Sequence, residues 1–252
     1  MKPITRVGLA LGLFLGFSSA ALAADAPDAT ATIDKAIKAM GGQEKLGAIK
    51  AVSVALKGKV TINNADSDFT MAITLAGVDH VRQQFEAEID GNQIKDLRVI
   101  AGDKAWRKNA DGADALDEAQ AGGLKRTAYL ALVATNPAVL KESAFKIDSV
   151  SDEQAGDKKL ATVKVVGPDK QDFTISFDKE TGLPVKVVGK VLSYTGNEVM
   201  QETVYDDYKE ANGIKKAMHA VVSHDGMKLL DEQVTEFKAL DKTPDEAFAE
   251  PK

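Results

Sequence analysis

Gly41-Gly42, in "AMGGQEKLG", is the stretch most suggestive of a phosphate cradle. Such a loop needs a strand before the glycines, a helix after them and usually Lys-Ser or Lys-Thr at its end, so that N–H groups and an ammonium converge on the anion. Here the preceding "TIDKAIKAM" spaces Ile33, Ala36, Ile37 and Met40 as one helical face, and no such ending follows. The pair is read as a helix stop. Gly41 is the left-handed residue closing a first helix, and a shorter one with Leu46 and Ile49 inward comes after.

The histidines offer no metal site. His219 and His224 are five residues apart in a strand-and-hairpin region, which aims them at opposite faces, and no His-Glu-x-x-His or telling carboxylate offset adds ligands. Ser223, His224 and Asp225 are the three triad types, but adjacent residues cannot converge, and the G-x-S-x-G elbow is missing. Glu86 and Glu88 share the polar face of a strand as solubilising charge. Asp206-Asp207, between Tyr205 and Tyr208, reads as a turn at a strand end. Lys158-Lys159 and Lys215-Lys216 read as solvated pairs beside turns. No catalytic residue, metal ligand or cofactor is expected, and the chain is read as a non-enzyme.

The elements that would hold these residues begin after an export signal. Lys2 and Arg6 precede the apolar run Val7–Phe17, and "ALA" at Ala21–Ala23 offers a cleavage site. The run is shorter than the ~20 residues a bilayer span needs. Residues 1–23 are read as a cleaved signal and residues 24–252 as one domain, soluble in an exported compartment. With no cysteine there are no disulfides and no lipid-modified N-terminal cysteine. Loss of Lys2 and Arg6 leaves 30 basic against 38 acidic residues, a net of −8, which disfavours nucleic acid and anionic membrane surfaces.

The most regular pattern follows the glycines. Val52, Val54, Leu56, Val60 and Ile62 alternate with polar or small residues, as do Phe69, Met71, Ile73 and Leu75, and then Val81, Phe85, Ala87 and Ile89. This is the signature of long strands with one wet and one dry face, and Asp90-Gly91 marks a hairpin. "DEAQAGGLKRTAYLALVATNP" reads as a helix ending before Pro137. It is apolar nearly all round from Ala128 to Ala134, and so is expected to lie buried on the concave side of the sheet. Seven further strands follow, from "FKIDSVS" to "LLDEQVTEF", with Gly182, Gly213 and Gly226 at turns needing positive φ. Their even spacing leaves no room for crossover helices. The tail "TPDEAFAEP" is expected to cover an edge.

The fold class is therefore α+β, mainly β, with a curved antiparallel sheet whose apolar face is either a core or a groove for acyl chains. In the groove reading, Phe69, Met71, Ile73, Leu75, Val81, Phe85, Trp106, Tyr129 and Leu132 line the cavity; the alternative makes each of them ordinary core.

The front segment "IDKAIKAMGGQEKLGAIKAVSVALKGKV", the strand "GDKAWRK" and the rear segment from "VYDDYKEANGIKKAMHAVVSHDGM" to "DEAFAEP" resemble the periplasmic outer-membrane lipoprotein-sorting proteins of LolA-like fold. Relatives often carry a proline after the lysine of the "GIK" turn, where this chain has Lys216 and Ala217. The resemblance implies an incomplete, open β-barrel wrapped around helices that act as plug or lid. It also implies a periplasmic, monomeric, non-catalytic carrier of lipid or acylated lipoprotein that meets membrane-bound partners transiently. The competing reading is a non-enzymatic structural or interaction domain of the envelope with a fully packed core. Arg82 and Arg98 are placed equally well in a cavity or on the wet face.

Overall fold

The computed structural model describes residues 28–252; the signal segment read at residues 1–23 lies outside the described residues. Two helices open it, α1 (Ala29–Met40) and α2 (Gln43–Ala48). Asp28 caps α1 by accepting from the Thr30 N–H, and Gly41, at φ 133°, ends it. A Cβ on Gly41 would come within 3.1 Å of the Gly213 carbonyl oxygen, so the glycine also permits a close approach to a later turn.

Six strands follow: β1 (Ala51–Ile62), β2 (Ala65–Ala76), β3 (His80–Ile89), β4 (Asn92–Ala101), β5 (Lys104–Asn109) and β6 (Gly112–Ala115). Then come α3 (Glu118–Thr135) and a 3-10 turn at Pro137–Lys141. The second strand set is β7 (Lys146–Ala155), β8 (Lys158–Val166), β9 (Asp172–Asp178), β10 (Pro184–Leu192), β11 (Glu198–Ala211), β12 (Ile214–His224) and β13 (Met227–Leu240).

All 13 strands form one antiparallel, curved and unclosed sheet, in the order β6-β5-β4-β3-β2-β1-β13-β12-β11-β10-β9-β8-β7. It consists of two meanders joined where β1 pairs with β13, and its edges are β6 and β7. Since α3 leaves β6 and leads to β7, it crosses the concave side from one edge to the other. The expected open barrel around a helix is what the sheet and α3 form. The hairpins follow their turn chemistry. Asp90-Gly91, Asn212-Gly213 and Asp225-Gly226 each take two consecutive positive φ values, the mirror-image turn whose twist matches that of paired strands.

Two local expectations are corrected. The residues around Phe248 do not cover an edge. They lie on the outer face of β3 and β4, where Phe248 joins Ala51, Ala76 and Val99 in a small cluster of its own. Asp206-Asp207 lies within β11 rather than at its end, and Asp207, at φ 48°, puts an irregularity inside the strand.

The main core lies between the helices and the concave sheet and draws on both meanders. Leu130 and Val133 of α3 pack with Val163, Val165, Phe173, Ile175 and Val187. A buried cation fixes the helix there. Arg126, 3 % exposed, donates to Asp169 (2.8 Å), to the Asp172 carbonyl oxygen (2.8 Å), to the Lys190 carbonyl oxygen and to the Tyr129 hydroxyl. Tyr129 in turn donates to Asp169 (2.8 Å). Each of the three guanidinium nitrogens donates at least one hydrogen bond, which is how a buried charge is tolerated.

Candidate functional site

The opposite side of α3 does not pack tightly on the sheet. Gln120, Gly123, Leu124, Thr127, Ala131 and Thr135, spaced at helical intervals, face the inner surface of β1, β2 and β11–β13 across a cavity of about 340 Å³. The cause is side-chain size: Thr127 and Ala131 are too short to reach a sheet wall that curves away from the helix, while Gly123 lets Leu192 of β10 come close, a Cβ there meeting Leu192 at 2.9 Å. Val52, Val54, Leu56, Met71, Ile73, Leu75, Ala220, Val222 and Val234 form the apolar wall. Their strands pair in register so that Leu56 faces Met71 and Val234, and Val54 faces Ile73.

Of the nine residues proposed from the sequence, Met71, Ile73 and Leu75 line this cavity. Phe69 and Phe85 stack on each other, with ring centroids 5.4 Å apart, in an adjoining apolar cluster with Leu56, Val60 and Met71. Val81 and Leu132 are in the main core. Tyr129 is also there, against Phe145 and Phe173, and points away from the cavity face of α3. Trp106 pairs with Val99 on the outer face of the sheet, in the cluster beneath Phe248. Arg98 lines the cavity with Arg107, whereas Arg82 reaches the Ala247 carbonyl oxygen on the outside. Arg98 Nε is 2.7 Å from Asp96 but at an angle that makes no hydrogen bond.

The polar wall contains the residues that sequence reasoning missed. Lys216, expected to be solvated, is 8 % exposed and faces the cavity with Tyr205 and Glu232. Loss of hydration lowers the Lys216 pKa to about 8, against the opposing pull of Glu232. Glu232 is half-buried by surface, yet the walls crowd its carboxyl enough to push its pKa up to about 7, with Lys216 and His219 drawing it back. Burial likewise raises the Tyr205 pKa. A signal for Lys216 was present: Ile214 faces inward, and strand alternation carries that face to residue 216.

Against the expectation of opposite faces, both histidines line the cavity: His224 is 3.2 Å from Gln201, and His219 stands between Asp206 (2.7 Å) and Asp231 (3.0 Å), a register shift between Val222 and Ser223 having broken the alternation. The hydrogen bond to Asp231, then Asp206, raises the His219 pKa against the effect of burial. Its folded value exceeds its unfolded one, so the stabilisation is complete below the unfolded pKa and disappears as pH rises through the folded value. NMR titration is expected to give His219 a midpoint above 6.5, and Asp231→Asn should move it downward.

Among the described residues, no group of three or more His, Asp or Glu is placed to hold a metal ion. Among them, too, no helix is long and apolar enough to cross a membrane.

No family model matches the chain, and no curated protein matches it in sequence. Solved structures do match in fold. A LolA superfamily protein from Nitrosomonas europaea superposes with a TM-score of 0.57 at 12% identity, covering 89% of this chain and 98% of that one. A putative outer membrane lipoprotein-sorting protein domain from Vibrio parahaemolyticus gives 0.52 at 10% identity, over 88% and 97%. A DUF1329 family protein from Desulfovibrio piger gives 0.52 at 10% identity, over 87% and 96%. The chain has the fold of LolA superfamily proteins.

Proposed function

We propose that this protein is a non-catalytic periplasmic carrier that shelters the acyl chain of a lipid or acylated lipoprotein between α3 and the concave sheet. The observation that carries the reading is the cavity of about 340 Å³, walled by Val, Leu, Ile and Met and roofed by the small-residue face of α3. That size falls in the roughly 300–1,000 Å³ range of small-molecule sites. The fold of lipoprotein-sorting structures and the export signal read in residues 1–23 support the same conclusion.

The energetics are adequate but modest. Burying about ten methylenes at ~0.8 kcal/mol each yields about 8 kcal/mol, against an association cost of at least about 4 kcal/mol. Hydrocarbon alone therefore gives weak holding and easy release, as suits a carrier.

Extraction of the mature protein purified from its native compartment, followed by mass spectrometry, should recover an acyl lipid in near-stoichiometric amount. A lipid-free extract would favour the alternative of an envelope interaction domain. Ala131→Trp should place an indole in the cavity without touching the core face of α3. Fluorescent fatty-acid binding is then expected to weaken at least about tenfold, the equivalent of ~1.4 kcal/mol. Thermal unfolding should stay close to that of the parent.

A further inference from the structure

Among the described residues, Lys216 is the one lysine that lines the cavity. Among the described residues its ammonium makes no hydrogen bond or ion pair, and Glu232 acts on it only through space. The Glu232 carboxyl is likewise without a hydrogen-bond partner. This contrasts with Arg126 on the other side of α3, whose three guanidinium nitrogens all donate hydrogen bonds. A buried ammonium is costly, and a methionine would pack in its place at no such cost. On the polar wall of the cavity, Lys216 and Glu232 thus lack side-chain hydrogen-bond partners among the described residues.

We propose that Lys216 and Glu232 form an oxyanion site in the cavity, selecting acyl amphiphiles that bear a single negative charge on carboxylate or phosphate oxygens. The proposal rests on the carrier reading and narrows its ligand class. Lys216 would donate to one anionic oxygen, and Glu232, in its neutral form, would donate its proton to a second. Ammonium plus neutral acid carries one positive charge, which a monoanion balances. With Glu232 ionised the pair is already neutral and the attraction is gone.

Glu232 titrates at about 7 and Lys216 at about 8, so binding should favour the acid side of neutrality. The other titratable groups lining the cavity are Tyr205 on β11, His219 and His224 on β12, Tyr194 in the turn after β10, and Arg98 and Arg107 on β4 and β5. The cavity face of α3 adds none. Protonation of the histidines on acidification would reinforce the trend, so the variant at Glu232 is needed to separate its contribution.

The test compares palmitate, uncharged 1-hexadecanol and phosphatidylglycerol by displacement of a fluorescent acyl probe from the delipidated mature chain. Palmitate or phosphatidylglycerol should bind about 10–100-fold more tightly than 1-hexadecanol, the range expected for a charged hydrogen bond. Lys216→Met should erase that preference, bringing palmitate and phosphatidylglycerol down to the affinity of 1-hexadecanol. Glu232→Gln, which stays neutral, should flatten the part of the pH dependence due to Glu232. Lys216-dependent binding of palmitate assigns a carboxylate, and of phosphatidylglycerol alone a phosphodiester. Equal binding of charged and uncharged probes overturns the oxyanion site but leaves the carrier reading standing. If no probe binds, both are overturned.

Discussion

Arg126→Ala should lower folding stability by about 3–5 kcal/mol, the usual result of removing one partner of a buried, hydrogen-bonded charge pair. The guanidinium joins α3 to the turn before β9 through Asp169 and to the strands through the Asp172 and Lys190 carbonyl oxygens. Its loss leaves two strand carbonyls and the Tyr129–Asp169 hydrogen bond without a cation. Urea unfolding monitored by far-UV circular dichroism measures the change. Arg126→Lys should recover only part of it, because a single ammonium cannot reproduce the fork. Since α3 also roofs the cavity, acyl-probe affinity should fall in step. Full stability in the alanine variant would show that the helix is held by its apolar face alone.

Gly58→Ala is the second large effect. Gly58 pairs with Glu232 of β13 on one side and Phe69 of β2 on the other. A Cβ there would lie 2.0 Å from the Asp231 carbonyl oxygen and 2.9 Å from the Glu232 Cα. Both obstacles are backbone, so no rotamer change relieves the clash, and β1 must move away from β13. Overpacking usually costs about 1–3 kcal/mol, and this substitution should reach or exceed the upper limit because strand pairing at the seam is also lost. Gly91→Ala, with nothing within 4 Å of the new atom but a positive φ of 77°, is a useful comparison. It should cost on the order of 1 kcal/mol, from backbone strain alone. Equal losses in the two variants would contradict the close approach at Gly58.

Much of the sheet can be read in the chain because its signals are local. Alternation from Val52 to Ile89 places every inward residue, and Asp90-Gly91, Asn212-Gly213 and Asp225-Gly226 mark their hairpins by the conformation that only such pairs accept readily. The helix face of α3 was not legible in the same way. From Ala128 to Ala134 it is apolar on all sides, so nothing local tells the core side carrying Tyr129 from the cavity side carrying Ala131. That is why Tyr129 was assigned to the wrong side of the helix. "AWRK" is too short to show alternation, and only the pairing with Val99 reveals that Trp106 turns outward. Lys216 was hidden by its neighbours. Beside Lys215 and a turn it resembles any solvated pair, and its burial depends on how β11–β13 curve beneath α3, which no short window of sequence contains.

The seam between β1 and β13 also bears on the order in which the polypeptide can mature. A ribosome delivers β1 about 170 to 190 residues before its partner, so the first meander must wait with a bare row of amides and carbonyls along one side. Contacts so distant along the chain form slowly. Until the last strand docks, β1 keeps an unpaired border, the feature by which a folding helper would recognise the incomplete molecule.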